Sequence, residues 1–176
     1  MKSTGVVRRV DELGRIVIPK EIRRTLKIRD GEELEIYVEN DMIFLRKFSK
    51  IFDLSEVSRK IIDVANSLIN KTILICDRDY VVSASGEFKK RYLNKELSKE
   101  INSCVFNGKQ VVNKSLSSVK LLGDIEDRYA YIINPIFSFG DVVGSVIILS
   151  SNSDISEFDV IISNMIAQFL GKYVED

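Results

Sequence analysis

Near residue 50 the spacing of apolar residues changes from the two-residue alternation of strands to the three-and-four spacing of helices, which divides the chain into two differently built parts. Upstream, short alternating runs fall at residues 4–10, 15–18, 33–38 and 42–47. Turn signals at Asp11-Glu12-Leu13-Gly14, Arg29-Asp30-Gly31 and Asn40-Asp41 separate them. One short helix is expected over residues 19–26, with Pro19 at its first position, where a missing N–H costs nothing. A strand-rich piece this small is marginal alone, because domains below about 60 residues bury too little of their surface. Four short strands with open edges therefore predict pairing with a second copy in an isologous dimer.

Downstream, Ile51, Leu54, Ser58, Ile61, Ala65 and Leu68 recur three or four apart and predict a helix over 54–69. The rest reads as α+β: strands over 72–76 and 80–83, helical material over 89–103, then strands near Val111 and over 129–137 and 142–150. A last helix over 157–173 carries a broad apolar stripe that includes Phe158, Ile161, Met165 and Phe169. Asp154 with Glu157, or Ser156 with Asp159, is placed to cap its start. Residues 113–127 read as a surface loop, with a lid over a pocket as the alternative. The expected organisation is a first domain over 1–50, a linker over 51–55 and a second domain over 56–176.

Charge follows the same division. Residues 1–29 carry nine basic side chains (Lys2, Arg8, Arg9, Arg15, Lys20, Arg23, Arg24, Lys27, Arg29) against Asp11, Glu12 and Glu21, a local balance of +6 in a chain whose formal net charge is zero. The remainder is correspondingly acidic, with clusters over 30–35 and 124–127. A basic end on an otherwise acidic chain points to an anionic partner for that end alone. In the short helix Lys20, Arg24 and Lys27 share a face, and only Glu21 is positioned to offset their mutual repulsion. Between residues 8 and 29 six arginines outnumber two lysines, and the planar guanidinium fork matches phosphate oxygens and guanine edges. Ordinary solvated charges, helped by the dipole at the helix C-terminus, are the competing account.

Other classes lose ground. The chain has no histidine, which removes the side chain most used for acid–base work near neutral pH and the commonest metal ligand. It has no GxxxxGK[ST] loop, no GxGxxG and no paired-carboxylate motif, so an enzyme is not expected. Cys76 and Cys104 lie far apart and read as small core residues rather than a disulfide or zinc framework. No apolar run approaches the roughly 20 residues that span a bilayer, and the N-terminal residues lack the apolar centre of a signal peptide. A cytoplasmic protein without a membrane partner is expected.

The segment KSTGVVRRVDELGRIVIPKEIRRTL resembles the N-terminal domain of the AbrB family of bacterial transition-state regulators, and the resemblance covers nearly all of residues 2–47. It implies a swapped-hairpin β-barrel formed by two interlaced chains that bind double-stranded DNA through arginines on one face. Carried over position by position, the DNA-contacting residues fall on Arg8, Arg15, Arg23 and Arg24, with Arg9 as a secondary candidate. Further on, CDRDYVVSASGE and INPIFSFGDVVGSVIILSS, lying between two long terminal helices, resemble a GAF domain. That resemblance implies a sensing domain able to take a small-molecule effector and to join dimers into tetramers through its helices; no cofactor is expected. Together the two imply a transcriptional regulator of sporulation or transition-state genes, acting at the nucleoid as activator or repressor. The alternatives are a swapped-hairpin antitoxin, which would end in a short toxin-binding tail where this chain has a patterned domain, and a small-molecule sensor acting through protein partners.

Overall fold

The computed structural model describes residues 5–123 and 125–175. Lys2, Thr4 and Asp124, which figured above in the basic end, the first strand and an acidic cluster, lie outside the described residues. The chain divides into two compact units, Met1–Phe48 and Ser49–Asp176.

The first unit contains helix α1 (Lys20–Thr25) and an antiparallel hairpin of β1 (Leu34–Glu39) and β2 (Met42–Lys47). Glu39 pairs with Met42, so Asn40 and Asp41 alone make the turn, both with positive φ (47° and 62°), as a two-residue I′ turn requires. The strands expected over 4–10 and 15–18 do not form ladders: among the described residues this unit's sheet holds only β1 and β2. Their alternation is real, but a strand exists only beside a neighbour, and in one chain β1 and β2 satisfy each other. Apolar side chains are consequently left in water, with Val7 86% and Val38 76% exposed, and none of the described residues of the unit is buried.

The second unit opens with α2 (Lys50–Asp53), where the Ser49 hydroxyl accepts the Phe52 N–H at 3.1 Å, and continues through α3 (Ser55–Ile69), β3 (Thr72–Cys76) and β4 (Val81–Ser85). Short helices α4 (Lys89–Tyr92) and α5 (Lys99–Phe106) follow, then β5 (Val111–Leu122), β6 (Ile125–Ser138), β7 (Asp141–Ser150) and α6 (Glu157–Glu175). The five strands form one antiparallel sheet in the order β4-β3-β7-β6-β5. Period-two alternation sends their side chains into two cores. Ile73, Ile75, Ile132, Val146 and Ile148 meet Ile62 of α3 and Ile166 and Leu170 of α6 on one face. Leu74, Cys76, Ile133, Ile147 and Leu149 meet Tyr92, Leu97 and Ile101 on the other. The result is a sheet between two helical layers.

Three expectations change. The segment 51–55, expected as a linker, belongs to the second unit, with Ile51 fully buried in the first of these cores. The loop expected over 113–127 is instead the paired end of β5 and the start of β6; an edge strand is half solvated, so its serines and lysines hide the strand period. The helical run expected over 89–103 breaks into α4 and α5, because Val81 and Asp79 take the N–H groups of Asn94 and Leu97 into backbone pairing.

At the start of α6 one of the two expected caps forms. The Ser156 hydroxyl accepts the Asp159 N–H at 3.2 Å while the Asp159 carboxylate accepts the Ser156 N–H at 2.7 Å, the reciprocal bonds of a capping box. Asp159, almost fully buried, is neutralised by Lys71 at 3.3 Å. Farther along, α6 lies so close to β6 that a Cβ on Gly171 would stand 2.2 Å from the Phe137 carbonyl oxygen, which only glycine permits. On the sheet's outer edge β5 shifts register between Asn113 and Ser117. There Lys114 pairs with Glu157, and the Leu116 N–H donates to the Ser153 hydroxyl at 3.0 Å.

Candidate nucleic-acid interface

The cationic surface of the first unit is built from two local devices. The first is the turn after residue 10. The Asp11 N–H donates to the Arg15 carbonyl at 3.1 Å and the Gly14 N–H to the Asp11 carbonyl at 3.0 Å, with Gly14 in the left-handed region at φ 75°. The Asp11 carboxylate closes the loop from inside. One oxygen accepts the Leu13 N–H at 3.0 Å and the Arg15 N–H at 2.8 Å, and the other takes Arg15 Nε at 2.8 Å. These bonds from Arg15, backbone first and then side chain, hold the Asp11 carboxyl below the usual carboxylate range. Arg15 thus stands at the mouth of the turn with its side chain 71% exposed.

The second device is α1. Pro19 serves as its N-cap residue rather than its first helical residue, with no side-chain cap. At the other end the Ile28 N–H returns to the Arg23 carbonyl at 2.8 Å and the Lys27 N–H to the Arg24 carbonyl at 3.3 Å, the paired bonds of a Schellman close. Lys27 occupies the left-handed position of that close, φ 55°, where glycine is the usual residue. The close fixes the last turn of α1, and with it Arg23 and Arg24. Arg24 is exposed, whereas Arg23 is half-buried, reaches Asp30 through Nη1 at 3.4 Å, and has its Nε shielded from solvent without a hydrogen-bond partner.

Of the five sequence candidates, α1 therefore holds Arg23 and Arg24 together and the turn presents Arg15. Arg8, whose Nη1 donates to the neighbouring Val7 carbonyl at 3.2 Å, and Arg9 lie exposed on the unladdered segment before the turn. Sequence reasoning had placed Asp11 in a turn and among the acidic residues, without giving its carboxylate a partner. Its signal is the Asp-x-x-Gly-Arg spacing, which lets a short carboxylate reach N–H groups two and four residues on.

The second unit offers a different chemistry. At the end of α4, the fully buried Tyr92 places its hydroxyl 3.2 Å from an Asp127 oxygen and 3.3 Å from the Tyr129 hydroxyl, and Arg91 pairs with the other Asp127 oxygen. Burial pushes the Tyr92 hydroxyl far up, so it acts as a donor and not as a base. Burial does the same to the Cys76 thiol, which is inert core, while Cys104 is only half-buried. Along α6 a shallow cleft of about 570 Å³ is lined by Ile161, Asn164, Met165, Gln168, Phe169, Lys172 and Tyr173. Among the described residues, no helix is long and apolar enough to cross a membrane.

Comparison with known proteins adds to this geometry. A family model described as stage V sporulation protein T C-terminal, transcription factor, matches residues 53–175. One described as antidote-toxin recognition MazE, bacterial antitoxin, matches residues 7–50. The chain is 40% identical over 177 aligned residues to stage V sporulation protein T of Bacillus subtilis (strain 168), covering 99% of each chain. Over 48 residues it is 62% identical to the transition state regulatory protein AbrB of the same bacterium, covering 27% of this chain and 50% of AbrB. Among solved structures, the GAF domain/HD domain protein from Geobacter sulfurreducens matches with a TM-score of 0.54 at 14% identity, covering 74% of this chain and 99% of that one. This last likeness is one of fold alone. The fold is thus an AbrB-like N-terminal domain followed by a GAF-like domain.

Proposed function

The chain belongs to the stage V sporulation protein T family of transcription factors, and on that footing we propose that its residues 1–48 form the module that dimerises and grips duplex DNA through Arg8, Arg15, Arg23 and Arg24, with Arg9 in support. It is a DNA-binding regulator of transcription and not an enzyme. The observation that carries the proposal is the state of the first unit in a single chain: cations presented on an ordered turn and helix, and apolar side chains left in water. A second copy supplies what is missing. Interlacing two hairpins gives residues 4–10 and 15–18 a strand partner, covers Val7, Val17, Ile36 and Val38, and gathers Arg8, Arg9, Arg15, Arg23 and Arg24 onto one face.

The GAF-like domain, residues 49–176, acts in this proposal as the regulatory part. The exposed Ile161, Met165, Phe169 and Tyr173 repeat every four residues along α6 and suit helix-to-helix packing that joins dimers into tetramers. A small-molecule effector acts there by binding one arrangement of the domain better than another, which is the only way a ligand shifts DNA affinity. The protein works in the cytoplasm, on the nucleoid, at promoters of sporulation or transition-state genes. The antitoxin likeness of residues 7–50 extends to this DNA-gripping module only, since 53–175 match the other family.

The test is DNA binding across a salt series by the intact protein and by an Arg23→Ala, Arg24→Ala double variant. With all four arginines of each copy on phosphates, log K for the wild type falls against log salt with a slope of about −7. The variant, folded by circular dichroism, loses most of its affinity and about half of that slope. Equal binding by the two proteins would reject this surface.

A further inference from the structure

Arg15 differs from the other candidate arginines in how it is held. Its link to Asp11 uses Nε and not the outer pair of terminal nitrogens. The same carboxylate is itself fixed by the Leu13 and Arg15 N–H groups. By contrast, Arg23 reaches Asp30 by one 3.4 Å contact to a fully exposed carboxylate, and Arg8 bonds only the carbonyl of the residue before it in the contact described above. A guanidinium gripped on its Nε side keeps its outer two-pronged edge for an acceptor beyond, the edge that matches a phosphate or the O6 and N7 of guanine. The turn, closed at Gly14, sets the direction of that edge relative to the backbone.

From this geometry we infer that Asp11 is a positioning residue for DNA recognition, which orders the Arg15 guanidinium before DNA arrives and aims its outer edge at one nucleotide. The inference rests on the DNA-binding reading. On charge alone, a carboxylate beside a DNA-facing arginine repels phosphate and weakens binding. With positioning, the ordering of a long side chain outweighs that repulsion, because Arg15 reaches DNA with its rotamers already restricted. The effect falls on recognition of a preferred site more than on general attraction to DNA, since a single aimed fork discriminates between bases while diffuse charge does not.

Asp11→Asn separates the two accounts. The amide oxygen still accepts the turn's N–H groups, so the loop persists, but the anionic acceptor for Nε is gone. The variant is assayed in the full-length protein on a preferred promoter duplex and on a random duplex, alone and combined with Arg15→Ala. Circular dichroism and sedimentation report fold and assembly. Affinity for the preferred duplex is expected to fall about threefold per copy, hence about tenfold for a dimer, with a smaller change on random duplex and no further loss once Arg15 is alanine. Tighter binding by Asp11→Asn, or an equal loss with and without Arg15, would overturn the positioning role while leaving the regulator reading intact. Absence of wild-type binding even at low salt would remove that reading and the inference with it.

Discussion

The two units answer the same physical demand in opposite ways. Ser49–Asp176 places a sheet between two helical layers and fills both sides, so its stability is contained within one chain. Met1–Phe48 has comparable apolar content along its strands yet buries none of its described residues. Burial is what converts apolar surface into stability, at about 25 cal/mol per Å². The difference teaches that the first unit leaves its apolar surface uncovered in a single chain, which is what the proposed dimer would cover, whereas the second unit covers its own.

The largest expected effect tests the self-contained half. Ile132→Ala removes a fully buried side chain beneath α3 and α6 and lowers the stability of the second unit by about 3–4 kcal/mol, by the same amount at every protein concentration in denaturant titrations. The matching substitution in the other half, Ile36→Ala, touches a residue 65% exposed in the single chain. It is expected to cost about 1–2 kcal/mol, but as weakened dimerisation, so the loss grows on dilution and DNA binding falls with it. An Ile36→Ala protein that associates like wild type would erase the contrast. The smallest effect is a gain: Lys27→Gly relieves the left-handed strain at the end of α1 and raises the first unit's stability by roughly 0.5–1 kcal/mol, read as a higher thermal transition.

How legible each part was follows from the same contrast. β3 reads directly from TILIC, because a strand covered on both faces is buried at every position and apolar at all but Thr72. Spacing narrowed the cap of α6 to two pairs, since both partners lie within one turn, and the structure forms the one at Ser156 and Asp159. The strand pattern over residues 4–10 and 15–18 is equally plain, but among the described residues neither run joins a ladder with β1 or β2. Residues 113–122 fail for another reason: the sheet's outer edge asks for little burial, so NKSLSSVK carries only a faint alternation. At the candidate interface charge and resemblance nominated the arginines, while the placement of Asp11 against Arg15 needed the folded turn. It arises only when the turn folds its carboxylate back onto Arg15.

The shift of register in β5 has a consequence for how this protein behaves when crowded. A straight edge strand at the end of an open sheet offers a ready template on which a neighbour's strand adds, the first step toward fibres. Here the edge bends at the bulge, a Lys114–Glu157 pair sits across it, and the Leu116 N–H that would recruit an incoming carbonyl is already given to Ser153. This edge is therefore closed to strand addition, which leaves copies meeting at high local concentration one route fewer to irreversible association.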